Sequence, residues 1–302
     1  MKAKDAVSGG RPFIIWTLQR TGGTNLAHGL FERSAFAGAQ HEPFNRDRAF
    51  GNVTTAWEQS RDLGALGEAI GQIVASKRLI KHCVENVPVQ LSEELARAAT
   101  EAGYRHLFLY REQPLGRLLS LHFARSTDIW GPKISDKVEY SEAVFNRPLP
   151  VAELVAQERK CSHRLRSLWE LLQSLKACPV AMSFEELYVA EEEAVAQDRV
   201  RRLLDFLGLA RGNASDQDFI DNVLHGGDQG TRDKYLRFDG VEALQKRLED
   251  VEFFDPKRSQ LEVGVKSGDV VSPGIVHAAV DTWPHSVGDG EIFGIEGVVV
   301  LD

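Results

Sequence analysis

The chain has 302 residues, enough for one large α/β domain with insertions or for two modest domains. Hydrophobic residues make up 43% of it and charged residues 26%, so the composition excludes a disordered chain, a collagen-like repeat and a mini-protein scaffold. The formal net charge of -8 would repel a polyanion unless the basic residues cluster, which argues against a general nucleic-acid binder.

The cysteines Cys83, Cys161 and Cys178 are odd in number and far apart, so neither a disulfide framework nor a zinc site is expected. The histidines show no HExxH spacing, and we expect no metal. The first residues lack the apolar stretch of a signal peptide, and no run approaches the roughly 18 residues that span a bilayer. We therefore expect a cytoplasmic protein without a membrane span.

An apolar run from Phe13 to Leu18 leads into Gly22 and Gly23 and then into a helical pattern, which predicts a strand, a tight loop and a helix. The same alternation recurs along the next hundred residues. The predicted elements are a helix over Thr54 to Ala75, a strand over Leu79 to Cys83, a helix capped by Ser92, a strand over His106 to Tyr110 and a helix near Leu115 to Arg125. Strands that alternate with helices predict an α/β fold with a parallel sheet and helices on both faces.

Further along, the apolar period predicts one long amphipathic helix over Val151 to Lys176. A short strand over Pro179 to Met182 and a helix over Arg199 to Leu209, closed by Gly208, follow it. From residue 267 onward the chain has six glycines, six acidic residues and no Lys or Arg. We therefore expect an α/β domain over residues 1–254 and a β-rich C-terminal extension over residues 255–302.

The loop after the first predicted strand, within IIWTLQRTGGTN, has the composition of a phosphate site. Backbone N–H groups and the positive end of a helix dipole meet at such a loop, and Gly22 and Gly23 allow close approach of an anion. Arg20 would add a bidentate cation, and Thr21 and Thr24 would add hydroxyl donors. The Walker pattern GxxxxGK[ST] is not matched, which argues against an ordinary ATPase or GTPase. The alternative is that the two glycines only permit a tight turn.

A second basic position lies at the end of the predicted strand HLFLY. Arg111 follows this strand, and Ser120 comes nine residues later on the next helix. Because ligands of open α/β sheets collect at the carboxyl edge, these two side chains could bind a second phosphate beside the first. Alternatively, Arg111 pairs with a surface carboxylate and Ser120 is an ordinary helix residue.

Taken together, QRTGGT, HEPFN and the Arg111 to Ser120 spacing followed by ARSTDIW resemble sulfotransferases that use 3′-phosphoadenosine 5′-phosphosulfate (PAPS). The likeness is to bacterial enzymes of the trehalose sulfotransferase type, and it covers roughly Pro12 to Leu248. It implies a P-loop-like fold and sulfuryl transfer to a hydroxyl of a small molecule or glycan. It also implies that residues 20–25, which are Arg20, Thr21, Gly22, Gly23, Thr24 and Asn25, hold the 5′-phosphosulfate, while Arg111 and Ser120 hold the 3′-phosphate.

The resemblance also bears on the general base. Glu42 in HEPFN matches the family's glutamate before proline, but Asn45 stands where the family often has another carboxylate. The base is therefore open between Glu42 and His41, and Glu42 has the alternative role of binding acceptor hydroxyls or capping a turn. Lys81, at the end of a predicted strand, could stabilise the bridging oxygen of the leaving group, or it could simply face solvent.

Some features remain open at this level. His82 is expected to pack in the core. The basic segment with Arg232, Lys234 and Arg237 could close over a nucleotide or form a solvated face. A nucleotide-dependent small-molecule kinase and a catalytically silent nucleotide-binding protein are the alternative functions, and a homodimer is an open alternative to a monomer. The acceptor itself has no recognisable signature.

Overall fold

The sheet is built from short apolar segments, and the first strand along the chain lies at its centre. The computed structural model describes residues 10–36, 38–130, 142–209, 215–225 and 232–256. Within these residues five parallel strands form one sheet in the order β2-β3-β1-β4-β5. They are β1 (Phe13–Thr17), β2 (Gln40–His41), β3 (Ile80–Cys83), β4 (Arg105–Tyr110) and β5 (Val180–Ser183).

Helices connect and flank these strands. They are α1 (Gly23–Arg33), α2 (Gly51–Ser60), α3 (Leu63–Ala75), α4 (Val89–Glu101), α5 (Leu115–Thr127), α6 (Val151–Ser174), α7 (Phe184–Tyr188), α8 (Glu193–Leu207), α9 (Ser215–His225), α10 (Arg232–Tyr235) and α11 (Val241–Leu248). Short 3₁₀ turns lie at Val84–Asn86 and Glu142–Asn146. The α/β class and the P-loop-like arrangement of a parallel sheet between helices are confirmed.

The alternation of side chains along β1 separates two cores. Ile14 and Trp16 pack with α3, α4 and α6 on one face of the sheet. Phe13 and Ile15 pack with α1, α8 and α9 on the other face. Because successive side chains of a strand point to opposite faces, one short apolar run supplies the centre of both layers. A third cluster joins α5, α10, α11 and the start of α6.

Two expected helices were wrong in detail. The segment expected as one helix over Thr54 to Ala75 forms two, because Arg61 adopts a left-handed backbone with φ 56° and ends α2. Asp62 then begins α3 by accepting a hydrogen bond from the Ala65 N–H at 3.1 Å. Ser92, expected as a helix cap, lies inside α4, which begins after Pro88. The hydroxyl of Ser92 instead contacts a histidine of β3.

The boundaries of several other elements match the predictions closely. The long amphipathic helix is α6. The helix expected over Arg199 to Leu209 is α8, which begins six residues earlier, at Glu193, and is closed as expected by the left-handed backbone of Gly208. The expected β-rich extension begins where the described residues end, so it lies outside them apart from residues 255 and 256. In the part of the chain that the structure describes, no helix is both long enough and apolar enough to cross a membrane.

Candidate functional site

The loop between β1 and α1 lies at the carboxyl edge of the sheet, at its centre. Its backbone is left-handed at Arg20, with φ 64°, and at Gly22, with φ 78°. A Cβ atom on Gly22 would lie 2.9 Å from Cε2 of Tyr188, and one on Gly23 would lie 3.2 Å from Cε of Lys81. The two glycines therefore let an aromatic ring and a lysine approach the loop from neighbouring elements.

Two arginines hold the carbonyl groups of this loop. Arg117 Nη1 donates to the Gln19 carbonyl at 3.4 Å, and Arg111 Nη2 donates to the Arg20 carbonyl at 3.3 Å. In a planar trans peptide the following N–H points away from the C=O, so the N–H groups of Arg20 and Thr21 point to the opposite side. The buried hydroxyl of Thr21 finds no hydrogen-bond partner among the described residues. These donors suit an anion at the start of α1.

The two segments expected to bind phosphates are in direct contact. Arg20 Nε donates to Ser120 Oγ at 2.8 Å, and Arg20 Nη1 donates to the Trp130 carbonyl at 2.8 Å. Arg20 comes from the loop after β1, and Ser120 lies in the middle of α5. The structure thus brings together residues that are 100 positions apart in the sequence.

Aromatic side chains of α7 form a wall beside this arginine pair. The guanidinium carbon of Arg111 lies 3.2 Å from the centre of the Phe184 ring, and Tyr188 donates its hydroxyl to the Gly22 carbonyl at 3.4 Å. A reciprocal capping box between Ser183 and Glu186 fixes this short helix directly after β5. Neither aromatic residue was foreseen from the sequence, although both follow shortly after the strand predicted over Pro179 to Met182.

An ion pair between Lys81 and Glu42 forms the other half of the site. Lys81 lies in β3, and its side chain is only 5% exposed. Its Nζ lies 2.5 Å from Glu42 Oε1 and 3.2 Å from Thr24 Oγ1. Glu42 Oε2 accepts hydrogen bonds from Asn45 at 3.0 Å and from Asn86 at 3.3 Å. The alternative of a solvent-facing lysine is wrong, because Lys81 is buried against Glu42.

The charges of this pair are mutually stabilised. Burial opposes ionisation of Glu42, but the charge and hydrogen bond of Lys81, with hydrogen bonds from Cys83 and Asn45, lower the pKa of Glu42 below its usual value. Burial also opposes the charge on Lys81, but Cys83, Glu42 and Glu85 outweigh it and raise the pKa of Lys81. Glu42 is therefore a carboxylate, and Lys81 an ammonium, at neutral pH.

The two neighbouring histidines lie on opposite faces of the sheet. His41, in β2, packs its ring edge-on to Phe31 at 5.1 Å, and burial followed by the charge of Lys81 lowers its pKa. His82 packs against Trp16, bonds Ser92 Oγ at 2.9 Å, and burial lowers its pKa to about 3. The expectation that His82 packs in the core is confirmed.

A buried charge network behind the loop was not foreseen from the sequence. Arg117, with 0% of its side chain exposed, pairs with Glu158 of α6 and lies 3.8 Å from Glu85 Oε1. Glu85 also accepts a hydrogen bond from the Gln19 N–H at 2.7 Å. These residues come from three separate elements, so no local pattern in the sequence indicates that they meet.

The remaining candidates lie at the edge of the site or outside it. Asn25 Nδ2 donates to the Val223 carbonyl at 2.8 Å, so its amide ties α1 to the end of α9. In the basic segment, Lys234 is exposed and Arg237 pairs with Glu142. Among the described residues, no group of three or more His, Cys, Asp or Glu side chains is placed to hold a metal ion.

Comparison with known proteins adds little to this geometry. No protein-family model matches the chain, and no curated protein does. Among solved structures, the chain is similar to a protein from the PezAT chromosomal toxin-antitoxin system of Streptococcus pneumoniae. The identity is 13% over 82% of this chain and 90% of that chain, with a TM-score of 0.31, values too low to bear on function.

Proposed function

We propose that the protein is a PAPS-dependent sulfotransferase that acts on a hydroxyl of a small-molecule or carbohydrate acceptor. The observation that carries the proposal is the contact between Arg20 and Ser120, with Arg111 beside it. The contact brings Arg20 and Arg111 together, and the resemblance in sequence implies that these two residues bind the 5′-phosphosulfate and the 3′-phosphate. The Lys81–Glu42 pair adjoins the same loop through Thr24.

The chemistry requires charge neutralisation and one proton acceptor. The acceptor oxygen forms a bond to sulfur while the bond from sulfur to the 5′-phosphate oxygen breaks, and the acceptor hydroxyl loses a proton. Arg20 and Lys81 supply positive charge for the phosphate that leaves, as in phosphoryl transfer. Adenosine 3′,5′-bisphosphate (PAP) is the second product.

Glu42 is the better placed of the two base candidates. It is ionised and partly accessible, whereas His41 keeps its ring against Phe31. The lowered pKa of Glu42 also makes it a weak base, so proton transfer must come late, when bonding to sulfur has acidified the acceptor hydroxyl. Asn45 and Asn86 donate to Oε2 of Glu42, whereas Lys81 Nζ contacts Oε1, so the carboxylate is held at both oxygens.

The first experiment is ligand binding. PAP should raise the melting temperature of the protein. At one hundred times its Kd, binding should add about 2.7 kcal/mol to the free energy of unfolding. ATP and GTP lack a 3′-phosphate and should raise the melting temperature much less. The Arg111→Ala variant should lose most of the PAP effect. Arg125→Ala is the matched control, since Arg125 lies on α5 and contacts Gln157 instead of the loop.

Transfer of labelled sulfate from PAPS into a host extract, followed by mass spectrometry, then identifies the acceptor. Equal stabilisation by ATP and PAP would contradict the proposal and favour the kinase. Binding of PAP without transfer to any component of the extract would favour the silent nucleotide-binding protein. Unchanged PAP affinity in Arg111→Ala would show that the 3′-phosphate lies elsewhere.

A further inference from the structure

The backbone of Gln19, the residue just before Arg20, is held at both of its polar groups by buried charged side chains. Its N–H donates to Glu85 Oε1 at 2.7 Å, and its carbonyl accepts from Arg117 Nη1 at 3.4 Å. The side chain of Glu85 is 8% exposed and that of Arg117 is 0% exposed. One loop residue is therefore fixed by two ions from two different elements.

Both ions are themselves anchored to the long helix α6. Arg117 pairs with Glu158, whose other oxygen accepts from Ser162 Oγ at 3.2 Å. Glu85 sits in the 3₁₀ turn Val84–Asn86, and Arg164 of α6 donates to the Val84 carbonyl at 2.8 Å. Through these contacts the loop is anchored to α6, a helix of 24 residues, and not only to the residues beside it in the sequence.

Stability alone does not account for this arrangement. Buried ion networks are costly to desolvate, and apolar side chains of the same volume stabilise a fold at least as well. Here Arg117 faces the carboxylates of Glu85 and Glu158 next to a loop with the composition of an anion site, and burial raises the pKa of Glu85 although Arg117 opposes it. The direct electrostatic effect of Glu85 on a bound phosphate is repulsive.

What the network does provide is backbone placement. Arg20 has a left-handed backbone, which a residue with a side chain adopts only when its surroundings impose it. The contact of Glu85 with the Gln19 N–H fixes the peptide plane before Gln19, and the contact of Arg117 with the Gln19 carbonyl fixes the plane after it. Together they set the direction in which the Arg20 side chain leaves the loop.

We propose that Glu85, together with Arg117, is a positioning residue that holds the loop so that the Arg20 side chain keeps its contact with Ser120, beside the group undergoing transfer. The functional part of this inference rests on the proposed sulfotransferase activity. The loop-holding part does not depend on it. The two parts are tested by different measurements on the same variants.

Glu85→Leu is the principal variant. It removes the acceptor for the Gln19 N–H but leaves Arg117 paired with Glu158, so the buried cation keeps a carboxylate partner. Hydrogen exchange of the backbone amides over residues 19–24 should become faster. The kcat of sulfuryl transfer should fall by about 10²-fold, the cost of a small misplacement of a reacting group. The Kd for PAP should change far less, since the loss of a nearby negative charge offsets the looser loop.

Two further variants separate positioning from loss of structure. Glu85→Gln keeps an acceptor oxygen at the same place and should restore most of kcat and most of the exchange protection. Ser162→Ala removes a hydrogen bond from the same network without touching Gln19, so it should lower stability while leaving kcat and loop exchange as in the wild type.

The inference is overturned if Glu85→Leu shows wild-type loop exchange, or if Ser162→Ala loses as much kcat as Glu85→Leu. If Glu85→Leu does not fold, hydrogen exchange of the loop in Glu85→Gln tests the inference. The neutral hydrogen bond of glutamine is weaker, so loop exchange should still be measurably faster than in the wild type, and unchanged exchange would overturn the inference. A wild-type protein that neither binds PAP nor transfers sulfate refutes the proposed function. In that case the exchange measurements still decide the loop-holding part.

Discussion

Substitution of Gly22 by alanine tests the loop geometry most directly, because two separate costs can be worked out from the structure. The first is backbone strain, since φ at Gly22 is 78°, and a left-handed backbone costs a residue with a Cβ about 1–2 kcal/mol. The second is overlap, because the new Cβ would lie 2.9 Å from Tyr188 and 3.1 Å from Phe184. Overpacking of this kind adds about 1–3 kcal/mol.

A matched control isolates the second cost. Gly103 has φ 77°, nearly the same backbone, but a Cβ there would meet nothing within 4 Å. Urea unfolding should therefore show that Gly103→Ala loses only the strain, about 1–2 kcal/mol, and that Gly22→Ala loses about 2–5 kcal/mol. Only Gly22→Ala should also weaken PAP binding. Equal losses of stability in the two variants would refute the close packing of α7 on the loop.

The choice of base and the acid sensitivity of the fold can be tested with single substitutions. Glu42→Gln should keep PAP binding while turnover falls by roughly 10²–10⁴, and His41→Ala should keep near-normal turnover; the reverse pattern would make His41 the base. His82 has a folded pKa of about 3 against 6.5 when unfolded, so the unfolded state takes up a proton first and stability falls as pH drops below 6.5. From pH 7 to pH 5 the contribution of His82 amounts to about 2 kcal/mol. Urea unfolding at both pH values should show that His82→Gln removes this part of the loss, while the part due to buried His106, whose pKa burial lowers to about 4, stays. The same pH-dependent loss in wild type and His82→Gln would show that His82 is not buried as a neutral ring.

The sequence was sufficient for features set by short segments of chain. The run Phe13 to Leu18, followed by Gly22 and Gly23, carries its strand, loop and helix in consecutive residues. The period of α6 is likewise local, so its length is predicted well. The parallel sheet followed from the alternation of such segments, because helical crossovers connect parallel strands.

Features that depend on distant residues were not predictable in this way. β2 has only two residues, too few to show any periodicity in the sequence. It forms because Gln40 pairs with Ile80 of β3. Serine is a common helix cap, but Ser92 lies inside α4, where its hydroxyl forms a hydrogen bond with His82. The sequence around Arg117 is typical of a surface arginine, but Arg117 is fully buried because it pairs with Glu158. The two residues are 41 positions apart, so no local pattern indicates the pair.

The break at Arg61 is an intermediate case. No glycine or proline marks it, so the apolar period continued across it and predicted one helix. Asp62, three residues before Ala65, does carry a capping signal that could have divided the segment. In the site, the sequence predicted separate roles for Lys81 and Glu42, and their direct contact came from the structure.

The central place of β1 has a consequence for how the chain is made. Thr17 pairs with Cys83 on one side and with Leu109 on the other, and Leu109 is 92 positions later in the chain. At about 5–20 residues per second, synthesis of that interval takes about 5–20 s. During that time the apolar strand β1 lacks at least one of its two neighbours, since β3 is made before β4. Such a segment is prone to pair with other nascent chains, so early chaperone cover of residues 13–17 favours a good yield of folded protein.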